Sequence, residues 1–192
     1  MLGDYVATLP ISLTAFMGLV VFFVGACSPG SSQFLGRLSA AGFAASLFLS
    51  YLLWGRDTST FATGEFGLMM AMGRYEVLAC ALLATIGCVV SLLFDDFEAG
   101  TRSNYGVHYA LLHFAVFGMM MLCTAINLVT LFIGLEFMSV AVYLLAVINR
   151  GSPLSTEAAF KYFALGAFAS ALMAYGMSFV YGATGTLDYV GI

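Results

Sequence analysis

Between Asn127 and Arg150 the chain reads NLVTLFIGLEFMSVAVYLLAVINR, an apolar run interrupted near its middle by one carboxylate, Glu136. A hydrocarbon core about 30 Å thick takes roughly 20 apolar residues of helix, and at about 1.5 Å of rise per residue Glu136 lies some 14 Å or more from either end of the run. No carboxylate reaches the interface from there. Insertion scales put an acid at that depth at a cost of about 2.5 to 3.5 kcal/mol, so acids in membrane segments face a bundle interior, a partner or water, and mark ion or proton pathways. On helical spacing Ser139 and Tyr143, at i+3 and i+7, share its face and give the segment one polar stripe.

The rest of the composition makes the same demand on the fold. Charged residues are 8% of the chain and hydrophobic ones 62%, with a mean hydropathy of +1.02; soluble domains carry about 25% charge. Long segments alternating polar and apolar residues, the mark of an outer-membrane barrel, are lacking. An all-α membrane protein remains, because a helix satisfies its own backbone in lipid. A net charge of −4 spread over short loops says nothing of nucleic acid, and without a basic patch no nucleic-acid partner is expected. Cys27, Cys80, Cys88 and Cys123 show no metal-ligand spacing and are expected to be small buried hydrophobes. Val24-Gly25-Ala26-Cys27 looks like a lipoprotein cleavage site, yet the first basic residue is Arg37. A secretory signal needs an earlier positive charge, so a retained first helix is expected.

Six apolar segments follow one another: about Val6 to Ala26, Leu38 to Trp54, Tyr75 to Phe94, Val107 to Ile126, Asn127 to Arg150 and Glu157 to Tyr181. Ser28-Pro29-Gly30-Ser31-Ser32 breaks the first, Tyr51 and Trp54 suit a membrane interface at the end of the second, and Gly55 to Gly73 is a polar connection. Asp95-Asp96-Phe97-Glu98 lacks the spaced oxygens of a calcium loop and reads as a solvated turn. His113 lies within the fourth segment, as a packing residue or a proton relay; His108, close to the interface, lies on a different face. Almost no loop separates the fourth and fifth segments, which predicts a tight antiparallel hairpin. In the sixth, Gly166, Ser170, Ala174, Ser178 and Gly182 form a stripe of small residues that predicts close approach of another helix. Lys161, about 6 Å inside this segment, either pairs with Glu157 at i−4 and snorkels, or serves the Glu136 site. With Arg37, Arg102 and Arg150 on inner connections and Arg56 and Arg74 on outer ones, both termini are expected outside.

The order of three motifs carries a resemblance. Asn127-Leu128 with GLEFMSVAVYLL (134–145), STEAAFKYFALGAFASAL (155–172) and YGATGTLD (181–188) resemble the N-type, antiporter-like membrane subunits of proton-pumping NADH-quinone oxidoreductase, complex I. Sister subunits M and L and Mrp-type antiporter subunits usually place an aromatic residue before the glutamate, where this chain has Leu135. The match covers Asn127 to Asp188, and before it only the segment pattern agrees. The resemblance implies a polytopic bundle that is the N-terminal part of a fold of about fourteen helices. Residues 1–126 would form helices one to four, and 127–192 the motif-bearing helices five and six with an outer C-terminal segment.

By the same resemblance, Glu136 matches a fifth-helix glutamate that pairs with a seventh-helix lysine, and Lys161 a sixth-helix lysine near the same polar path. Proton translocation would be driven by quinone reduction elsewhere in the complex. Flavin, iron–sulfur clusters and quinone are expected in other subunits, with no cofactor in this chain. Partners would be M-type and K-type neighbours, the missing C-terminal helices and lipid, in a bacterial energy-transducing membrane. The seventh-helix lysine and the second family repeat are absent from this sequence, as in a fragment, a split subunit or a truncated product. The alternatives are an Mrp-type Na⁺/H⁺ antiporter or membrane-hydrogenase subunit, or a structural assembly piece that pumps nothing.

Overall fold

The computed structural model describes residues 6–27, 32–55, 59–62, 68–97, 105–148 and 153–192. Among them are six helices long and apolar enough to cross a membrane. These are α1 (Leu9–Cys27), α2 (Ser32–Leu53), α3 (Arg74–Phe97), α4 (Tyr105–Thr124), α5 (Leu128–Ala146) and α6 (Pro153–Thr184). The expected segments are all present, with the second, third and sixth extended. α3 continues through Asp95 and Asp96, while Glu98 and the breakers 28–31 and 149–152 lie outside the described residues. So do Arg56, Arg102 and Arg150, three of the charges behind the expected orientation. Pro153 opens α6 at the first helical position, where its missing N–H costs nothing and its fixed φ already fits. Two glycines close helices in the left-handed region, Gly55 after α2 at φ +86° and Gly185 after α6 at φ +73°.

The connection from Gly55 to Gly73, expected as a plain polar loop, holds two strands. β1 (Ser59–Ala62) and β2 (Leu68–Met72) pair antiparallel, with Ser59 opposite Met72 and Phe61 opposite Met70. β2 then meets the turn between α4 and α5, where Ile126 N–H donates to the Met69 carbonyl at 3.2 Å. The other side of that turn meets the chain after α6. Leu128 N–H donates to the Leu187 carbonyl at 3.0 Å and Tyr189 N–H to the Ile126 carbonyl at 3.1 Å. Backbone groups leaving a helix at a membrane face need partners. This small sheet supplies them to three connections at once.

The first four helices share a core that includes Ile11, Phe43, Val77, Ala84, Val116 and Met120. Two helix pairs meet through glycine. A Cβ on Gly25 of α1 would lie 2.4 Å from the Gly106 Cα of α4, and one on Gly118 of α4 would lie 2.5 Å from the Met138 nitrogen of α5. The expected α4–α5 hairpin is therefore so close that backbone touches backbone. Of the four cysteines, Cys80 is buried and Cys88 half-buried, but Cys27 and Cys123 are exposed, contrary to expectation. In a helix with a lipid-compatible outer face, a small apolar residue has no need of the interior.

α6 lies at the edge of the bundle and exposes most of its length. Its covered positions are Ser155, Ala159, Gly166, Ser170, Met173, Met177 and Val180, whereas Ala174, Ser178 and Gly182 of the expected small-residue stripe are exposed. A spacing of four drifts against the 3.6-residue turn, about 40° per step. The stripe thus leaves α5 after Ser170.

The Gly118 crossing gives a direct check. Gly118→Val should destabilise the folded chain by about 1 to 3 kcal/mol through overpacking, read as a lower thermal midpoint in detergent. Gly176→Ala, where a Cβ meets nothing within 4 Å, should leave the midpoint unchanged or raise it slightly.

Candidate functional site

The site begins at the start of α5, which Asn127 fixes. Its backbone is extended (φ −138°, ψ 140°), and its side-chain oxygen accepts the Val129 N–H at 2.7 Å, as an N-cap does. Its amide donates to Asp188 Oδ1 at 2.5 Å. One residue therefore caps α5 and ties it to the segment after α6. About 14 Å further along the helix stands Glu136.

Glu136 is half-buried, and its Oε1 is shielded with no hydrogen-bond partner among the described residues. It lines a groove of about 410 Å³ between α4 and α5 with Leu111, Phe114, Phe137, Val140, Ala141 and Leu144. Apart from the carboxylate, every one of these side chains is apolar. A shielded charge without a partner is costly, so such a group needs a cation, a donor or a proton.

Tyr143, on the expected stripe, turns toward α6. A Cβ on Gly166 would fall 1.7 Å from its hydroxyl oxygen, and its ring centroid lies 6.1 Å from that of Phe163. Glu136 stands at the border of the two sides of α5, one facing the α4 groove and the other facing α6. Ser139 is half-buried on the same stripe.

Lys161 forms an ion pair with Glu157, one turn earlier, and the two side chains are 67% and 58% exposed. Since α6 starts at Pro153, Lys161 lies about 12 Å along it, twice the expected depth. The earlier start is held by Ser155, whose hydroxyl donates to the Ala146 carbonyl at the end of α5. Among the described residues no hydrogen bond or ion pair joins Lys161 to Glu136. The two candidates stay apart, with Tyr143 and Gly166 between their helices.

Sequence reasoning missed a buried hydroxyl seam in the first four helices. Thr14 donates to the Pro10 carbonyl at 2.8 Å and lies 3.0 Å from Ser46, while Ser39 lies 3.0 Å from Ser91. The signal was available: Ser39, Ser46 and Ser50 fall on one face of α2. His113 joins this seam and His108 does not; His108 stacks on Phe94 with centroids 3.5 Å apart.

Comparisons with known proteins bear on the bundle as a whole. The family model described as NADH:quinone oxidoreductase/Mrp antiporter, TM, matches residues 125–192. Subunit N 1 of NADH-quinone oxidoreductase from Chloroherpeton thalassium is 36% identical over 187 residues, 97% of this chain and 38% of that protein. Subunit N from Rhodospirillum rubrum is 36% identical over 185 residues, 96% of this chain and 37% of that protein. A chain of respiratory complex I from Thermus thermophilus superposes with a TM-score of 0.72 at 29% identity, over 93% of this chain and 38% of that one. A chain of an archaeal membrane-bound sulfane sulfur reductase gives 0.82 at 20% identity, over 95% of this chain and 38% of that one, a likeness of fold. The six-helix bundle thus matches part of an antiporter-like membrane subunit. More narrowly, the chain is a homologue of NADH-quinone oxidoreductase subunit N, and it spans about 38% of the length of the first curated relatives it matches.

The exposed Lys161–Glu157 pair should contribute little to stability. Glu157→Gln is expected to change the unfolding free energy by less than about 0.5 kcal/mol, measured by denaturation in detergent. A larger loss would show that the pair is held in a less exposed setting.

Proposed function

We propose that the chain is part of a proton-translocating, N-type membrane-arm subunit of NADH-quinone oxidoreductase, with Glu136 as its switching carboxylate and Lys161 on the same path. One observation carries this reading: a carboxylate oxygen of Glu136 is shielded in an apolar groove with no partner among the described residues. Burial raises a carboxylate's proton affinity and an adjacent ammonium lowers it, so moving a cation toward or away from Glu136 switches its charge. In this reading the cation comes from helices beyond those present here, and the groove between α4 and α5 is where it arrives. The apolar walls keep the field of that cation strong at the carboxylate.

Lys161 is the second station. Its exposed, flexible ammonium hands protons between its own side of the membrane and the stripe that Glu136, Ser139 and Tyr143 form. Redox chemistry with flavin, iron–sulfur clusters and quinone takes place on other subunits, and M-type and K-type subunits are the neighbours this reading requires.

The family model's description also names Mrp antiporters, which keeps Na⁺/H⁺ exchange as a second reading. It predicts Na⁺-dependent proton flux in vesicles without an electron donor, where the pump reading predicts none. In the complete complex, Glu136→Gln should lower the number of protons moved per electron while the complex still assembles and oxidises NADH. An unchanged stoichiometry would refute the role of Glu136. Loss of assembly alone would favour a purely structural carboxylate.

A further inference from the structure

His113 lies fully buried on α4, away from the Glu136 groove, although its neighbours Leu111 and Phe114 line that groove. Its Nε2 is 3.1 Å from Ser39 Oγ on α2, Ser39 Oγ is 3.0 Å from Ser91 Oγ on α3, and Ser91 donates to the Gly87 carbonyl at 2.8 Å. Ser39 and Ser91 are also fully buried, and His113 Nδ1 has no hydrogen-bond partner among the described residues. The imidazole stacks on Phe43 with centroids 3.9 Å apart and planes 8° from parallel. Phe43 in turn lies against Gly87, where a Cβ would come within 2.7 Å of its ring. A polar route and an apolar route therefore leave the same histidine and end on the same residue of α3.

The chain of hydroxyls fixes the position of its protons. The Gly87 carbonyl only accepts, so Ser91 spends its hydroxyl proton there and offers its oxygen to Ser39. Ser39 then donates to Ser91 and can only accept from the histidine. That ordering makes three hydrogen bonds and leaves one unpaired atom, the Nδ1 lone pair. In the reverse ordering Ser91 donates to Ser39 and Ser39 to Nε2. It makes two bonds, and it places the ring's proton on Nδ1 as a buried donor without an acceptor. A buried N–H without a partner is the rarer and costlier outcome.

The described surroundings carry no charge that would hold an imidazolium. A Cβ on Gly18 of α1 would lie 3.0 Å from the His113 Cβ, Ser39 and Phe43 contact the ring, and the backbone of Thr14 on α1 faces it without making a hydrogen bond to Nδ1. Arg37 on α2 and Arg74 at the start of α3 are exposed, and Glu76 is engaged with the Gly73 N–H. Asp95 and Asp96 lie beyond Ser91 at the end of α3, and Tyr109, one turn before His113 on α4, is neutral and buried. On α5, Glu136 and Tyr143 belong to the groove and to the α6 contact.

We infer that His113 is held as the neutral Nε2–H tautomer, a positioning residue that donates one hydrogen bond to pin α2 and α3 onto α4 and relays no protons across the membrane. The inference is independent of the role proposed for Glu136. It settles the two readings that the sequence left open for this histidine in favour of packing.

The test is ¹⁵N NMR of the histidine-labelled full-length protein in lipid bilayers, with the His113 signals assigned by their loss in His113→Gln. The expected spectrum shows a protonated Nε2 and a bare Nδ1, unchanged between about pH 5 and 9, the range in which a free histidine titrates. A protonated Nδ1, or a titration within that range, would overturn the inference. A second variant tests the ordering through a residue that the histidine does not touch. Ser91→Ala removes the acceptor that holds the Ser39 proton and frees it to turn to Nε2, so the share of the Nδ1–H tautomer should rise. A tautomer unmoved by Ser91→Ala would equally overturn it.

Discussion

A carboxylate placed deep in a membrane-length helix sets the conditions that the surrounding structure must meet. Left facing lipid, Glu136 would oppose insertion of α5; turned inward, it needs a groove, a partner or a proton. The fold supplies the groove. Leu111 and Phe114 of α4 and four apolar residues of α5 surround the acid and leave one of its oxygens shielded and unpaired among the described residues. An acid in such a place responds strongly to any charge brought near, which is what a switching site requires.

Holding α5 in register is the second requirement, because a slip of one residue would turn Glu136 about 100° around the helix axis. Three contacts oppose a slip. Asn127 caps the helix and bonds Asp188, the turn before it is paired into the small sheet with β2 and the chain after α6, and Gly118 locks against Met138 and Gly134. On its other side α4 is held by the His113–Ser39–Ser91 chain and by the Gly25–Gly106 contact. α4 is therefore fixed from both sides, and it forms one wall of the Glu136 groove.

Much of this was legible in the sequence, for a physical reason. Scarcity of charge identifies membrane helices, a lone acid inside one is conspicuous, and the missing loop between Thr124 and Leu128 dictates a hairpin. Pairing between distant parts of the chain was not legible. The strands at Ser59–Ala62 and Leu68–Met72 find partners in the α4–α5 turn, and nothing in residues 55–73 names that turn. The hydroxyl seam likewise needs α2, α3 and α4 assembled before Ser39 meets both Ser91 and His113. The small-residue stripe of α6 misled because a spacing of four leaves the contact face after two steps. Lys161 was placed too shallow because the sixth segment reads as starting at Glu157, after a breaker that includes Pro153, while Pro153 begins the helix.

The central claim is that Glu136 changes its protonation as the machine turns over. The redox-induced infrared difference spectrum of the complete complex tests it most directly, with Glu136→Gln as the control. The account predicts a carboxylic-acid carbonyl band that appears and disappears with quinone reduction and is missing in the variant. A spectrum in which no carboxyl band depends on Glu136 would mean that its charge is constant through turnover and would contradict the account.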